Sequence, residues 1–204
     1  LACAKHFLGH GDTDTDSHET LPVIRHDRYR LNTTEITPFR HLITKGLGSV
    51  MVAHLRIPAI DATENLASSL SKKVVTNLLK KELGFQGLIF TDGLNMKGVS
   101  KYFDAGELDV KALLAGNDIL LVSEDVPMAI EKIKEAIAAF FIEFHYSKEQ
   151  ILLAYINDVF IAQSGRRAIH GFGLASEFFF GSSLENLSTD QMALLVGMLK
   201  GPSL

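Results

Sequence analysis

A chain of 204 residues with 47% hydrophobic side chains is long enough to bury one ordinary core or two small ones. Its 24 acidic residues outnumber 20 basic ones for a formal charge of -4, which leaves no basic excess for a nucleic-acid partner. The single Cys3 excludes an internal disulfide, and no apolar run reaches the roughly 18 to 20 residues that cross a bilayer.

From residue 1 to about 122, short apolar runs alternate with amphipathic stretches, the rhythm of βα units over a parallel sheet. The first strand is predicted at Ala2 to Phe7. A short helix over Thr37 to Lys45 stops at Gly46 and Gly48, and a second strand follows at Ser49 to His54. Leu70, Val74, Leu78 and Leu79 then fall at helical spacing, with Ser69 placed to cap the start and Gly84 to end it. Leu88 to Thr91 and Asp118 to Val122 read as the third and fourth strands. Four such units are roughly half of an eight-stranded barrel of about 250 residues, so both sheet edges are expected to be open and to invite self-association.

The last third reads as an all-α segment without a strand signal. Asp125 and Pro127 open a helix whose apolar positions Ile130, Ile133, Ile137, Phe141 and Phe144 keep the 3.6 period. Ser147 with Gln150, and Ser188 with Gln191, form capping-box patterns before further helices, and Gly181 and Gly201 stand where helix stops are expected. The chain opens at Leu1 with neither an initiator Met nor a signal segment, which places the natural N-terminus elsewhere.

The chemistry concentrates in Lys5-His6-Phe7-Leu8-Gly9-His10-Gly11-Asp12-Thr13, in Asp16-Ser17-His18, and in Phe90-Thr91-Asp92-Gly93-Leu94-Asn95-Met96. Lys5, His6, His54 and Asp92 lie at or just beyond predicted strand ends, the face on which parallel α/β barrels carry their sites. Taken singly, these residues have plainer readings. An Asp after a strand is usually a helix cap, and a His between glycines is usually a loop residue bonded to backbone. Asp12, Asp14 and Asp16 at alternate positions suggest a calcium-type loop, but no bidentate Glu follows at the required spacing.

Taken together, the motifs resemble the family 3 glycoside hydrolases of the β-N-acetylglucosaminidase kind, which read K-H-F-P-G-H-G-D-T, then D-S-H, then F-[ST]-D-[DA]-L-x-M. Leu8 replaces the proline, and Gly93 stands where relatives carry an acidic or small residue. The resemblance implies retaining cleavage of terminal β-linked N-acetylglucosamine through a covalent intermediate, with no metal and no organic cofactor for the hydrolysis. It makes Asp92 the nucleophile, His18 with Asp16 the acid/base pair, and Lys5 and His6 the holders of sugar hydroxyls. The family's upstream acidic and arginine ligands belong to the half of the barrel that this sequence does not contain.

Further on, Lys148-Glu149-Gln150-Ile151-Leu152-Leu153-Ala154-Tyr155-Ile156-Asn157 fits K-x-x-I-L-x-x-Y-x-N, and Gln163-Ser164-Gly165, Phe180-Gly181 and Leu194 to Ser203 continue the match. This part resembles the peptidoglycan glycosyltransferase domain (family 51) of bifunctional penicillin-binding proteins, a family associated with a divalent cation. Glu135 corresponds either to its second glutamate or to an ordinary solvated helix face with Lys132. The motif that carries the general base, E-D-x-x-F-x-x-H-x-G, is missing from the sequence. Tyr155, Asn157 and Gln163 read as structural, and Phe178-Phe179-Phe180 as core.

The expected architecture is thus α/β: the C-terminal half of a (β/α)8 TIM-type barrel over residues 1-135, then a helical segment over 136-204. Three functions stand side by side. They are a glycosidase acting on N-acetylglucosamine-containing, cell-wall-derived carbohydrate, a lipid-linked disaccharide polymerase, and an inert fusion of two fragments. The resemblances favour a bacterial periplasm or cell envelope over the cytoplasm.

Overall fold

The computed structural model describes residues 2–13 and 20–199. The chain divides into two compact units, Leu1–Ile137 and Ala138–Leu204.

In the first unit, β1 (Cys3–Phe7), β2 (Ser49–Val52), β3 (Leu88–Gly93) and β4 (Ile119–Leu121) form a parallel sheet in that order. Parallel neighbours require long crossovers, and helical segments supply them. Between β1 and β2 come α1 (Arg28–Arg30), a π-wound turn (Leu31–Glu35) and α2 (Thr37–Thr44); between β2 and β3 comes a π-wound helix (Lys73–Glu82). Between β3 and β4 lie α3 (Lys97–Ser100) and α4 (Glu107–Ala115). Val50 pairs with Ile89 and Val52 with Thr91, and all four are fully buried, as central parallel strands covered on both faces require. Val74, Val75, Leu78 and Leu79 of the π-wound helix and Phe39 of α2 belong to the same core. Phe7 meets Phe39 edge to face at 5.0 Å, and Leu8, at the family's proline position, is wholly buried among them.

Several expectations are corrected here. Ser69 does not cap the second crossover helix. It sits in a 3-10 turn (Ser68–Leu70), its hydroxyl is taken by His54, and helical winding begins only at Lys73. Gly84, with φ +69, does follow the helix end. The fourth strand stops at Leu121 because Val122 turns into the left-handed region, φ 52. The second strand stops at Val52, two residues short of His54.

α5 (Val126–His145) begins in the first unit and ends in the second. Asp125 caps it by accepting the Met128 amide, but the apolar period does not become a core. Ala129 is buried, whereas Ile130, Ile137, Phe141 and Phe144 are exposed.

In the second unit the all-α expectation is corrected by a hairpin. β5 (Phe160–Ser164) pairs antiparallel with β6 (Arg167–His170) across Gly165 and Arg166. Gly165, at φ +60, takes the first loop position, which favours glycine in two-residue hairpins of the II′ kind. The strands escape a pattern search because their buried apolar residues are so few: Ile161, Ala162 and Ile169. These three pack with Ala175, Leu187 and Leu195, drawn partly from α7 (Phe172–Phe180) and α8 (Thr189–Met198). Both capping boxes form as expected, Ser147 with Gln150 ahead of α6 (Lys148–Asp158) and Ser188 with Gln191 ahead of α8. Gly181 ends α7 in the left-handed conformation, while Gly201 lies outside the described residues. Phe178 and Phe179 are exposed and stack edge to face, contrary to a core reading.

Candidate active site

Along β1, Phe7 enters the core, His6 is half-buried and Lys5 is exposed. Lys5, His6, Gly9 and His10, with Glu35 of the π-wound turn and Phe39 of α2, line an open cleft of about 750 Å³. Gly9 closes the turn after β1, its amide donating to the His6 carbonyl at 2.7 Å. A side chain there would meet Glu35 Cβ and Cγ at 3.0 Å, and φ is +96, so glycine is required on both counts. His6 and His10 approach edge to face at 6.1 Å, and the Thr13 hydroxyl lies 2.9 Å from His10 Nδ1.

Two strands away, Asp92 ends β3 and borders a cleft of about 440 Å³ with Asn95, Met96, Lys97, Leu121 and Val122. Its Oδ1 accepts the Gly93 amide at 2.9 Å. His6 feels this carboxylate. Burial lowers the His6 pKa below its ordinary value, the Asp92 charge pulls it back up, and Lys5 and His10 push it down again. His6 on β1 is thus within electrostatic reach of Asp92 on β3.

His54 holds the Asp92 turn from beneath. Its ring is fully buried, with Nε2 3.0 Å from the Gly93 carbonyl and Nδ1 2.7 Å from Ser69 Oγ. A carbonyl only accepts, so Nε2 carries the proton, and Nδ1 of the neutral ring accepts from Ser69. Burial lowers the His54 pKa, against the opposing pull of Gly93 and Asp92, and keeps the ring in that neutral form. Buried Asn117 extends the chain of bonds by donating to the Ser69 carbonyl at 2.7 Å.

Of the residues expected in the site, Lys5 and His6 lie on β1 and Asp92 near the C-terminal end of β3, two strands away. Asp16 and His18 lie outside the described residues. Glu135 lines neither cleft; it is an exposed side chain on α5, 2.8 Å from Lys132 Nζ. Sequence reasoning missed Ser69 and Asn117 as supports of His54. It also missed a polar group beside the Lys5 cleft, where Asp12 Oδ2 meets His26 Nε2 at 2.6 Å and Glu35 Oε1 meets Arg30 Nε at 3.1 Å. No motif links these residues, so only the fold reveals them.

The family model described as Glycosyl hydrolase family 3 N terminal domain matches residues 1–147, and that described as Transglycosylase matches residues 115–204. The chain is 38% identical over 140 residues to beta-hexosaminidase A of Pseudoalteromonas piscicida, covering 64% of this chain and 23% of that protein. It is 58% identical over 72 residues to penicillin-binding protein 1B of Vibrio cholerae, covering 35% of this chain and 9% of that one. Among solved structures, a glycoside hydrolase family 3 β-N-acetylglucosaminidase from Paenibacillus sp. is similar at a TM-score of 0.64 and 31% identity, over 96% of this chain and 36% of its own. NagZ from Neisseria gonorrhoeae, in complex with N-trifluoroacetyl-D-glucosamine, is similar at a TM-score of 0.53 and 32% identity, over 63% of this chain and 35% of its own. The chain therefore spans about a third or less of these proteins.

Proposed function

The chain belongs to glycosyl hydrolase family 3, whose N-terminal domain it matches over residues 1–147, and we propose that its site serves retaining cleavage of terminal β-linked N-acetylglucosamine. The observation that carries this reading is the placement of His6 on β1 within electrostatic reach of Asp92 on β3. In this reading the sheet is half of a (β/α)8 barrel, with residues 1-135 as the hydrolase part and 136-204 as a separate helix-rich segment. Its open edges pair with a second copy.

Asp92 is the nucleophile: its carboxylate attacks the anomeric carbon as the leaving oxygen departs, giving a covalent glycosyl-enzyme. His18, oriented by Asp16, protonates that oxygen and then takes a proton from the water that releases the sugar. Lys5 and His6 donate to sugar hydroxyls. His54, bonded to the Gly93 carbonyl, fixes the turn on which Asp92 stands, so the nucleophile does not have to find its geometry during the reaction.

The test is hydrolysis of a chromogenic β-N-acetylglucosaminide. Asp92→Asn is expected to lower turnover by roughly a thousandfold, and a fluorinated glycosyl donor is expected to label the peptide that contains Asp92. Undiminished turnover in the variant removes Asp92 from the reaction. A second reading rests on the match of residues 115–204 to the transglycosylase family. Polymerisation of a lipid-linked disaccharide without glycoside hydrolysis would establish it, and silence in both assays would establish the inert fusion.

A further inference from the structure

We infer that Asp12, His26 and Glu35 form a binding site for a divalent first-row cation of the zinc class, beside the Lys5 and His6 cleft that Glu35 helps to line. One ligand atom from each of the three lies within 4.8 Å of the others. Around tetrahedral zinc, with bonds of about 2.1 Å, ligand atoms stand about 3.4 Å apart. The group is thus one small side-chain adjustment from coordinating geometry. Asp12 follows β1, His26 precedes α1 and Glu35 ends the π-wound turn, so three separate segments converge on one point.

The second observation is the state of Glu35. Its side chain is only 7% exposed. Oε1 accepts from Arg30 Nε at 3.1 Å, whereas Oε2 is enclosed with no hydrogen-bond partner among the described residues. A carboxylate oxygen shut off from water without a donor is costly, and a cation removes that cost. Glu35 also has little freedom to turn away, because its Cβ and Cγ are packed against Gly9.

Arg30 is the competing cation. Its Nη2 stands 3.6 Å from Asp12 Oδ2, but its side chain is 46% exposed and can leave for solvent. Two carboxylates and a neutral imidazole carry a charge of about -2, which one guanidinium halves and one divalent ion cancels. An imidazole with two carboxylates suits zinc, cobalt or manganese better than calcium, which takes oxygen ligands alone. Three protein ligands leave the open position that distinguishes reactive or regulatory zinc sites from closed structural ones.

The inference stands apart from the hydrolase reading, since its test needs no sugar. ZnCl2 is titrated calorimetrically into the metal-free chain, and CoCl2 is added while visible d–d absorption is followed. One equivalent is expected to bind and to raise the melting temperature. Glu35→Gln and His26→Gln are each expected to weaken binding at least tenfold and to remove the cobalt bands. Asp12→Asn changes an exposed side chain, so it serves if loss of Glu35 unfolds the protein, with circular dichroism reporting the fold. Cys3→Ser is expected to leave the titration unchanged, since Cys3 is an exposed free thiol. Absence of binding, binding that survives both His26→Gln and Asp12→Asn, or binding lost with Cys3 overturns the assignment.

Discussion

Replacing His54 by leucine tests whether the buried imidazole is the support of the Asp92 turn. The change deletes two hydrogen bonds, to Ser69 Oγ and the Gly93 carbonyl, in a site closed to water. Each bond is worth about 1 kcal/mol net, and a stranded buried partner adds about 1 to 3 kcal/mol, so the expected loss is about 3 to 5 kcal/mol at neutral pH. The variant also carries a pH signature. Burial holds the folded-state pKa of His54 below its ordinary 6.5, so the unfolded chain takes up a proton that the folded one refuses. The stabilisation is complete above pH 6.5 and is lost as pH falls from 6.5 towards the folded pKa, at up to about 1.4 kcal/mol per pH unit. His6, also lowered by burial, adds a slope of the same sign to both proteins, so the difference between them isolates His54. Urea unfolding followed by circular dichroism at pH 7.5 and 5.5 is the assay. The wild type should lose up to about 1.4 kcal/mol more than His54→Leu on acidification. An acid slope unchanged in the variant, or a cost below about 1 kcal/mol at pH 7.5, refutes the account.

Three other perturbations follow from local geometry. Burial of Asp61 resists ionisation, but bonds from Ser71, Lys73 and Thr63 outweigh it and bring the carboxyl down to about 2 from 3.8. Its contribution of about 2 kcal/mol is present above pH 3.8 and lost as pH falls towards 2, and acid titration of Asp61→Asn should lack that component. Gly171 has φ +75, and a Cβ there would lie 2.3 Å from the Asn157 carbonyl oxygen; Gly171→Ala should cost about 2 kcal/mol or more and open residues 138–204 to limited proteolysis. Val122 is a β-branched residue at φ 52, so Val122→Asn, which tolerates that conformation, should raise stability by about 1 kcal/mol in thermal melts.

The parallel sheet was legible because β2 and β3 are short apolar runs separated by helical spacing, and each strand's neighbour in sequence is its neighbour in space. The placement of Lys5 and His6 on β1 and of Asp92 on β3 was legible because their motifs fall on short apolar runs. What stayed hidden depends on contacts that no local pattern encodes. Ser69 looks like a helix cap until His54, 15 residues earlier, takes its hydroxyl. The group of Asp12, His26 and Glu35 is scattered along the one crossover from β1 to β2 and has no repeating spacing. β5 and β6 bury too few apolar residues to announce a hairpin, and Val122 leaves its strand through a backbone torsion that its side chain disfavours.

α5 separates the two kinds of information most clearly. Both family matches run through it, one to residue 147 and the other from residue 115. Its local rules are all obeyed: Asp125 caps the start, and Lys132 with Glu135 and Lys134 with Glu131 pair at helical spacing. Helix formation needs only such neighbours, so two helical segments joined end to end continue as one helix. Burial needs distant partners. Phe141 and Phe144 remain 62% and 77% exposed although their period is that of a buried face. The apolar period of α5 is therefore a property of its local sequence, and it does not by itself supply the distant partners that burial requires.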